Sequence, residues 1–472
     1  MNQNNISAAE LFLRVRELLI LPELEPKTRN KMMHDTLILC CHEGVKETKQ
    51  AFGNLFSQVD YLCKAHGIKV ADKIAIQTMR RHSNSQEPLS SEDLKYDARA
   101  LAIFISAVFG VDVPHELNVL IPHTNRPYQK GLEINNHRIR CIVKNWDSDF
   151  IRVDIDQDAD EEEYLVQLKD EENHIDHTYL WDILKEGMQL NLLDCQVKQP
   201  VITPRLIVVE PDYLVDISSI ATCFTAFGHH PLLYLLNQMK PRANTQATLL
   251  GNFAGAALDD IINTNGKYQM NETIKTNFRE KALEFCTCPW FDAKKFYTDA
   301  SLQAFNLQQV VDILFPRTAS QAQMSAFRGE SLYDRKKAIL EPSFVCEALG
   351  IQGRVDLMTT DCKLLVEQKS GRNMNIETHQ VDPGYHSYQL EPHYVQLLLY
   401  YGVLQHNFKL SNDRVNIRLL YSKYRPQDGL MVVAYYQKLF KEAIQYRNQL
   451  VAASFEIAKE GFEHALNEFT PE

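Results

Sequence analysis

The sequence predicts a multidomain chain in three parts: a helical N-terminal domain over residues 1–125, a small β-barrel of the OB or SH3-like kind over 126–209, and an α/β domain with a central mixed sheet flanked by helices over 210–472. Three observations predict it. Apolar residues recur every three or four positions in SAAELFLRVRELLI and ALAIFISAVFGV, the period of a one-sided helix. The pattern then changes to short alternating or β-branched runs: HRIRCIVKNW, DFIRVDIDQ, EYLVQLKD, MQLNLLDCQVK and TPRLIVVEP. Beyond residue 210, helical and strand-like segments alternate, which is the order of a sheet covered by helices on both sides.

Within the first part, Ser7 stands at a helix start and Pro114 at a helix break, with the polar connector RRHSNSQEPLSSED between. Nothing there suggests chemistry. The five strand-like runs, with a small helix near TYLWDILKEG, suit a compact barrel. Its first strands carry Trp146, Phe150, Arg138, Arg140 and Lys144. Two readings stand: a basic, aromatic face for single-stranded nucleic acid, or a spacer domain with ordinary core aromatics. In the third part the spacing predicts helices over 231–313, a strand pair over 351–369, a helix over 392–405, a strand over 415–422 and a long helix over 433–465.

Net charge is −11, yet residues 147–186 hold fifteen acidic against three basic side chains, a local −12 that leaves the remainder near +1. Global charge therefore gives no support for a nucleic-acid partner. The acidic stretch is either a solvated edge or a segment that mimics DNA charge or repels the wrong ligand. No apolar run approaches the roughly 18–20 residues of a membrane span. The opening MNQNNISAAELFLRVRELLI lacks the basic and small-residue marks of a signal peptide. A cytoplasmic protein with no membrane partner is expected, and ten scattered cysteines suit reduced thiols there.

The segment that suggests chemistry is GIQGRVDLMTTDCKLLVEQKSG, residues 350–371. Two strand-like runs flank the turn Thr359-Thr360-Asp361-Cys362. Glu367 and Lys369 are two apart and project from one face of a strand, while Leu364 and Val366 take the other. With Met358 opposite Lys363, Asp356 would lie opposite Leu365 and diagonal to Glu367, on the same face. Two carboxylates and an ammonium so gathered are what metal-assisted phosphodiester hydrolysis calls for. An acid-x-Lys strand facing solvent is the innocent alternative, but charge inside such apolar runs demands a partner or a metal. HYVQLLLYYGVLQ follows, with Pro392 suited to the first turn of a helix and Gln396 and Tyr400 on one helical face.

The order G-x-V-D, then V-E-x-K-S-G, then Q-x-x-x-Y resembles the RecB-like branch of the PD-(D/E)xK nucleases, closest to the nuclease domains of replication helicase-nucleases and CRISPR-associated RecB-like exonucleases. LVDISSIATCF (214–224), EPSFVCEALGIQGRVD (341–356), RLLYSKY (418–424) and YRNQL (446–450) are similar to further stretches of that domain, so the likeness runs over roughly 212–455. The resemblance implies Mg²⁺- or Mn²⁺-dependent cleavage of DNA, with single strands or ends as substrate. Asp356 and Glu367 would be metal ligands, Lys369 the catalytic lysine, and Gln396 and Tyr400 positioning residues. Glu341 would support the metal, or is a surface residue after a basic run. The resemblance further implies a superfamily I helicase domain in the same or another chain; no GxxxxGK[ST] phosphate loop supplies one here.

Two departures stand out. In LLGNFAGAALDDII the family's metal-binding His of G-x-x-x-H is replaced by Gly255; Asp259 or Asp260, one turn on, either substitutes or faces solvent. The family's four-cysteine iron–sulfur cluster is not expected either, because no cysteine follows Cys362. Cys286 and Cys288 read as buried thiols, and His229, His230, His386 and His393 as loop or helix-start residues before ligands. The competing function is a catalytically impaired module that keeps the nuclease fold to bind DNA or scaffold a helicase.

Overall fold

A computed structural model describes the chain except for residues 1–5, 22, 49, 86, 127–135, 156–162, 226–227, 241–243, 265–266, 382–386, 411–414, 462, 465–466 and 468–472. It divides into two compact units, Met1–Tyr213 with Val451–Glu472, and Leu214–Leu450. Among the described residues no helix is long and apolar enough to cross a membrane.

The first unit begins with helices α1 (Ala8–Ile20), α2 (Pro26–Gly44), α3 (Leu55–Ala65), α4 (Val70–Asn84) and α5 (Ser91–Phe109). Ser7 caps α1 in a reciprocal box with Glu10, and Ser90 does the same for α5 with Asp93. Helix α5 ends at Gly110 in the left-handed conformation, φ 64°, so the break falls ahead of Pro114. Its apolar face, Leu94, Leu101, Phe104 and Ile105, packs with Leu11, Val15, Met33 and Leu37 in a helical core.

Strands β1 (Arg138–Trp146), β2 (Phe150–Ile155), β3 (Tyr164–Gln167), β4 (Gln189–Leu193), β5 (Gln196–Lys198), β6 (Val201–Thr203) and β7 (Leu206–Val209) follow. They form one sheet in the order β5-β6-β3-β2-β1-β4-β7. The strands expected there are present, with a short 3₁₀ turn at Thr178–Asp182 where a small helix was expected. The expected barrel is not closed: β5 and β7 are the outer strands, with no pairing to each other among the described residues. Two of the cations proposed for its binding face are already matched. Arg140 forms a two-pronged pair with Asp212 at 3.0 Å on each side, and Lys144 pairs with Asp154. Trp146 packs against the sheet's apolar core. The spacer reading is therefore the better supported of the two. Of the acidic stretch, residues 156–162 lie outside the described residues.

The second unit is α/β. A five-stranded sheet contains β8 (Ala338–Leu340), β9 (Leu357–Thr359), β10 (Leu364–Lys369), β11 (Asn416–Tyr421) and β12 (Leu430–Val432), in that order. Only β10 and β11 run parallel. Parallel neighbours need a crossover, and the helix between them supplies it. The helices used below are α6 (Gln246–Asn263), α7 (Ala293–Leu314), the crossover α8 (Glu391–Phe408) and α9, whose Gln437–Leu450 portion belongs to this unit. Leu364 and Val366 join Leu249, Phe253, Ala257, Ala304, Leu307 and Val311 in one core, so one face of β10 is covered by α6 and α7. The alternation along β10 sends Glu367 and Lys369 to the opposite face, where α8 lies.

Candidate active site

The β9–β10 register differs from the one expected. Leu357 pairs with Val366 and Met358 with Leu365, a shift of two residues. A shift of two keeps every side chain on its face. Extending the ladder by one residue places Asp356 directly opposite Glu367, where a diagonal relation was expected.

Local bonding holds Asp356 there. Its carbonyl accepts from the Glu341 N–H at 3.0 Å. Its Oδ2 accepts from the Gln368 N–H at 2.6 Å, so a carboxylate stands where a strand carbonyl would continue the ladder. Burial raises the Asp356 carboxyl above its usual range and Glu341 adds to this, while the Gln368 N–H, Lys369 and Arg354 oppose it. Glu367 is 3% exposed. Its Oε1 accepts from Lys369 Nζ at 2.7 Å, and its Oε2 is buried without a hydrogen-bond partner. Burial first, then the charge of Asp356, pushes this carboxyl up to about 8.

Lys369 Nζ donates also to Gln396 Oε1 at 2.7 Å. Tyr400, one helical turn on, donates to the Arg354 carbonyl at 2.6 Å. That approach depends on Gly353, whose missing Cβ would stand 2.9 Å from the Tyr400 ring and 3.1 Å from its hydroxyl. Burial, with Glu367 and Asp356 nearby, pushes the Tyr400 phenol well up. Five residues expected together from sequence are thus placed around one end of β10, linked by short hydrogen bonds.

Glu341 is not drawn into the carboxylate pair: it bonds Arg354 at 3.0 Å at an exposed edge and touches Asp356 through its backbone. Among the described residues, no three His, Cys, Asp or Glu side chains are set as ligands of one ion. Gly255 on α6 has open space where a Cβ would be. One turn on, the Asp259 carboxyl is pushed up to about 7, by burial first and then by Glu341, Asp356 and Asp260. Asp259 is therefore electrically part of this neighbourhood, a role that sequence reasoning set beside the solvent-facing one. Asp260 instead pairs with the Thr273 hydroxyl.

No known family model and no curated protein matches the chain. The site has to be judged on its own chemistry. The donor set fits a divalent cation at one observation: a carboxylate oxygen of Glu367 is buried, unpartnered and beside a second carboxylate. Such a pair is unfavourable without a counter-charge, and hard oxygen donors are what Mg²⁺ and Mn²⁺ take. Asp356 and Glu367 would hold the ion, with the charges of Asp259 and Glu341 felt nearby.

His393 lies at a helix start as expected, half-buried in the first turn of α8 with Nδ1 3.1 Å from the Tyr421 hydroxyl, and desolvation, then Lys369, pushes it down to about 4. His386 lies outside the described residues. His229 bridges Glu391 at 2.6 Å and Glu442 at 2.7 Å, as an ion-paired link and not a ligand. Cys288 is buried as expected, but Cys286 is exposed.

Proposed function

We propose that this chain is a Mg²⁺- or Mn²⁺-dependent nuclease of the RecB-like PD-(D/E)xK type, hydrolysing phosphodiester bonds of DNA at single strands or ends. The buried Asp356–Glu367 pair with its unpartnered oxygen carries the reading, because the hydrogen bonds to Gln368 and Lys369 leave that oxygen without a structural partner, as a ligand oxygen would be. When bound, the ion supplies counter-charge to the scissile phosphate and a water of lowered pKa. Asp356 and Glu367 bind and orient it. Lys369, held between Glu367 and Gln396, presents a fixed ammonium to a phosphate oxygen and places the attacking water. Gln396 aims the lysine, and Tyr400 ties α8 to the strand end that carries Asp356. The same reading takes a superfamily I helicase as partner, on the resemblance, and the cytoplasm as location, on the sequence's lack of signal-peptide marks and its scattered cysteines.

One observation favours the second reading, a module that keeps the fold without cleaving: the open space at Gly255. Labelled single- and double-stranded DNA incubated with Mn²⁺, beside Lys369→Ala and Asp356→Ala, separates the two. Metal-dependent cleavage by the unaltered chain, reduced at least about 100-fold in both variants, is expected. Cleavage that survives both substitutions overturns the site. DNA bound but never cut, under any divalent metal, selects the scaffold.

A further inference from the structure

Beside the strand end that carries Lys369 lies a cleft of about 430 Å³ that the reaction does not use. Ser370 and Gly371, the next residues of the chain, form one wall. Leu250 of α6 and Leu302 of α7 give it an apolar floor, and Lys295, Arg372 and Lys423 stand at its rim. Over it stands Trp290.

Trp290 is 98% exposed, so its large ring gains nothing from burial. Its backbone lies in the left-handed region, φ 59°, which is unfavourable for a bulky side chain. Local stability gives no reason for a tryptophan there. Recognition does. An aromatic face held in water beside cations is how single-stranded nucleic acid is gripped, with bases stacking and phosphates paired. Arg372 and Lys423 share the one carboxylate of Glu377, Lys295 is matched by Asp299, and Asp292 also lines the cleft, so the two cations that share Glu377 are the ones placed to meet a phosphate.

Helix α6 runs from the cleft to Asp259, whose carboxyl feels the charge of Asp356. Ala247, Gly251, Gly255 and Asp259 are four apart and form one stripe. Ala247 lines the cleft, Gly251 lies against Ser370, Gly255 is bare, and Asp259 senses Asp356 and Glu341. The stripe spans about 18 Å at 1.5 Å per residue, the length of a few nucleotides. Its two glycines leave this stripe without side chains between the cleft and Asp259.

We propose that this cleft is a single-stranded DNA subsite in which a base stacks on Trp290 and a neighbouring phosphate meets Arg372 and Lys423, leading the strand toward the strand end that carries Lys369. The proposal rests on the nuclease reading for its direction, but its test does not need cleavage. A fluorescein-labelled oligo-dT is titrated against the full chain in EDTA, by anisotropy, with Trp290→Ala and Trp290→Phe alongside. Loss of about 10-fold in affinity for Trp290→Ala is expected, with Trp290→Phe within about 3-fold of the unaltered chain and a duplex competing weakly. An exposed position leaves the melting temperature unchanged in both variants. Equal binding by Trp290→Ala, duplex bound as well as single strand, or no binding by the unaltered chain each overturns the subsite. Trp290-dependent binding in a protein that never cleaves with Mn²⁺ sustains the subsite and sinks the nuclease. Mn²⁺-dependent cleavage with Trp290-independent binding does the reverse.

Discussion

Replacing Glu367 by Gln should make the metal-free protein more stable at pH 8. Glu367 is nearly fully buried and its carboxyl is raised from 4.5 to about 8. Between those values the folded chain holds a proton that the unfolded chain has released. The unfolded chain thus binds fewer protons, and stability falls as pH rises through that window. Integrated over the shift, the loss is about 4 kcal/mol at pH 8 and about 1 kcal/mol at pH 5. Gln fills the same space, is neutral throughout and keeps a carbonyl for Lys369. Exchanging a charge-assisted hydrogen bond for a neutral one returns about 1 kcal/mol of that gain. A net gain of about 3 kcal/mol at pH 8 remains, with almost none at pH 5.

For a unit the size of Leu214–Leu450, such a gain raises the melting temperature by about 6–12 °C. Calorimetry in EDTA at both pH values measures it. Adding Mn²⁺ at pH 8 should then raise the melting temperature of the unaltered protein, because a ligand that binds only the folded state stabilises it by mass action, and should leave the variant nearly unmoved. A Glu367→Gln protein less stable than its parent at pH 8 in EDTA would refute the reasoning. So would an equal difference at pH 5 and pH 8, since a packing effect has no such pH dependence.

Three more outcomes are expected. Asp259→Asn should weaken the Mn²⁺-induced rise in melting temperature at pH 8, and in EDTA it should be stabilised relative to its parent as pH rises from 3.8 through about 7, the window of that raised carboxyl; an unchanged Mn²⁺ response would remove Asp259 from the site. Gly255→His meets no atom at its Cβ and should fold with stability within about 1 kcal/mol of the parent while binding Mn²⁺ more tightly, which isothermal titration would read directly. Gly402→Ala drives a methyl group into the buried Phe440 ring and should cost about 1–3 kcal/mol in urea unfolding, overriding the helix propensity that Ala gains.

What the sequence disclosed and what it withheld follow from the range of the forces involved. Capping at Ser7, the alternation of β10 and the helix opening at Pro392 depend on residues within a turn or a strand of one another, and each was legible. Strand and helix periods group Asp356 with Glu367 and Lys369, and Gln396 with Tyr400, while the resemblance joined the two sets. The exact opposition of Asp356 and Glu367 could not, since register is set by turn geometry and by Asp356 taking the Gln368 N–H, a tertiary bond that alternation does not encode. Whether β5 and β7 close a barrel is likewise decided by sheet curvature, beyond the reach of strand patterns. Glu341 kept two readings, metal support or surface residue, because its pair with Arg354 forms only when separate segments meet. Trp290 is the contrary case, for a lone tryptophan in a helix-rich stretch reads as core. Only its exposure, its positive φ and its place in one cleft with Ser370 give it a use, and the last of these joins distant parts of the chain. Functional residues of this kind break the local rules, so a rule-based reading passes over them until the packing is known.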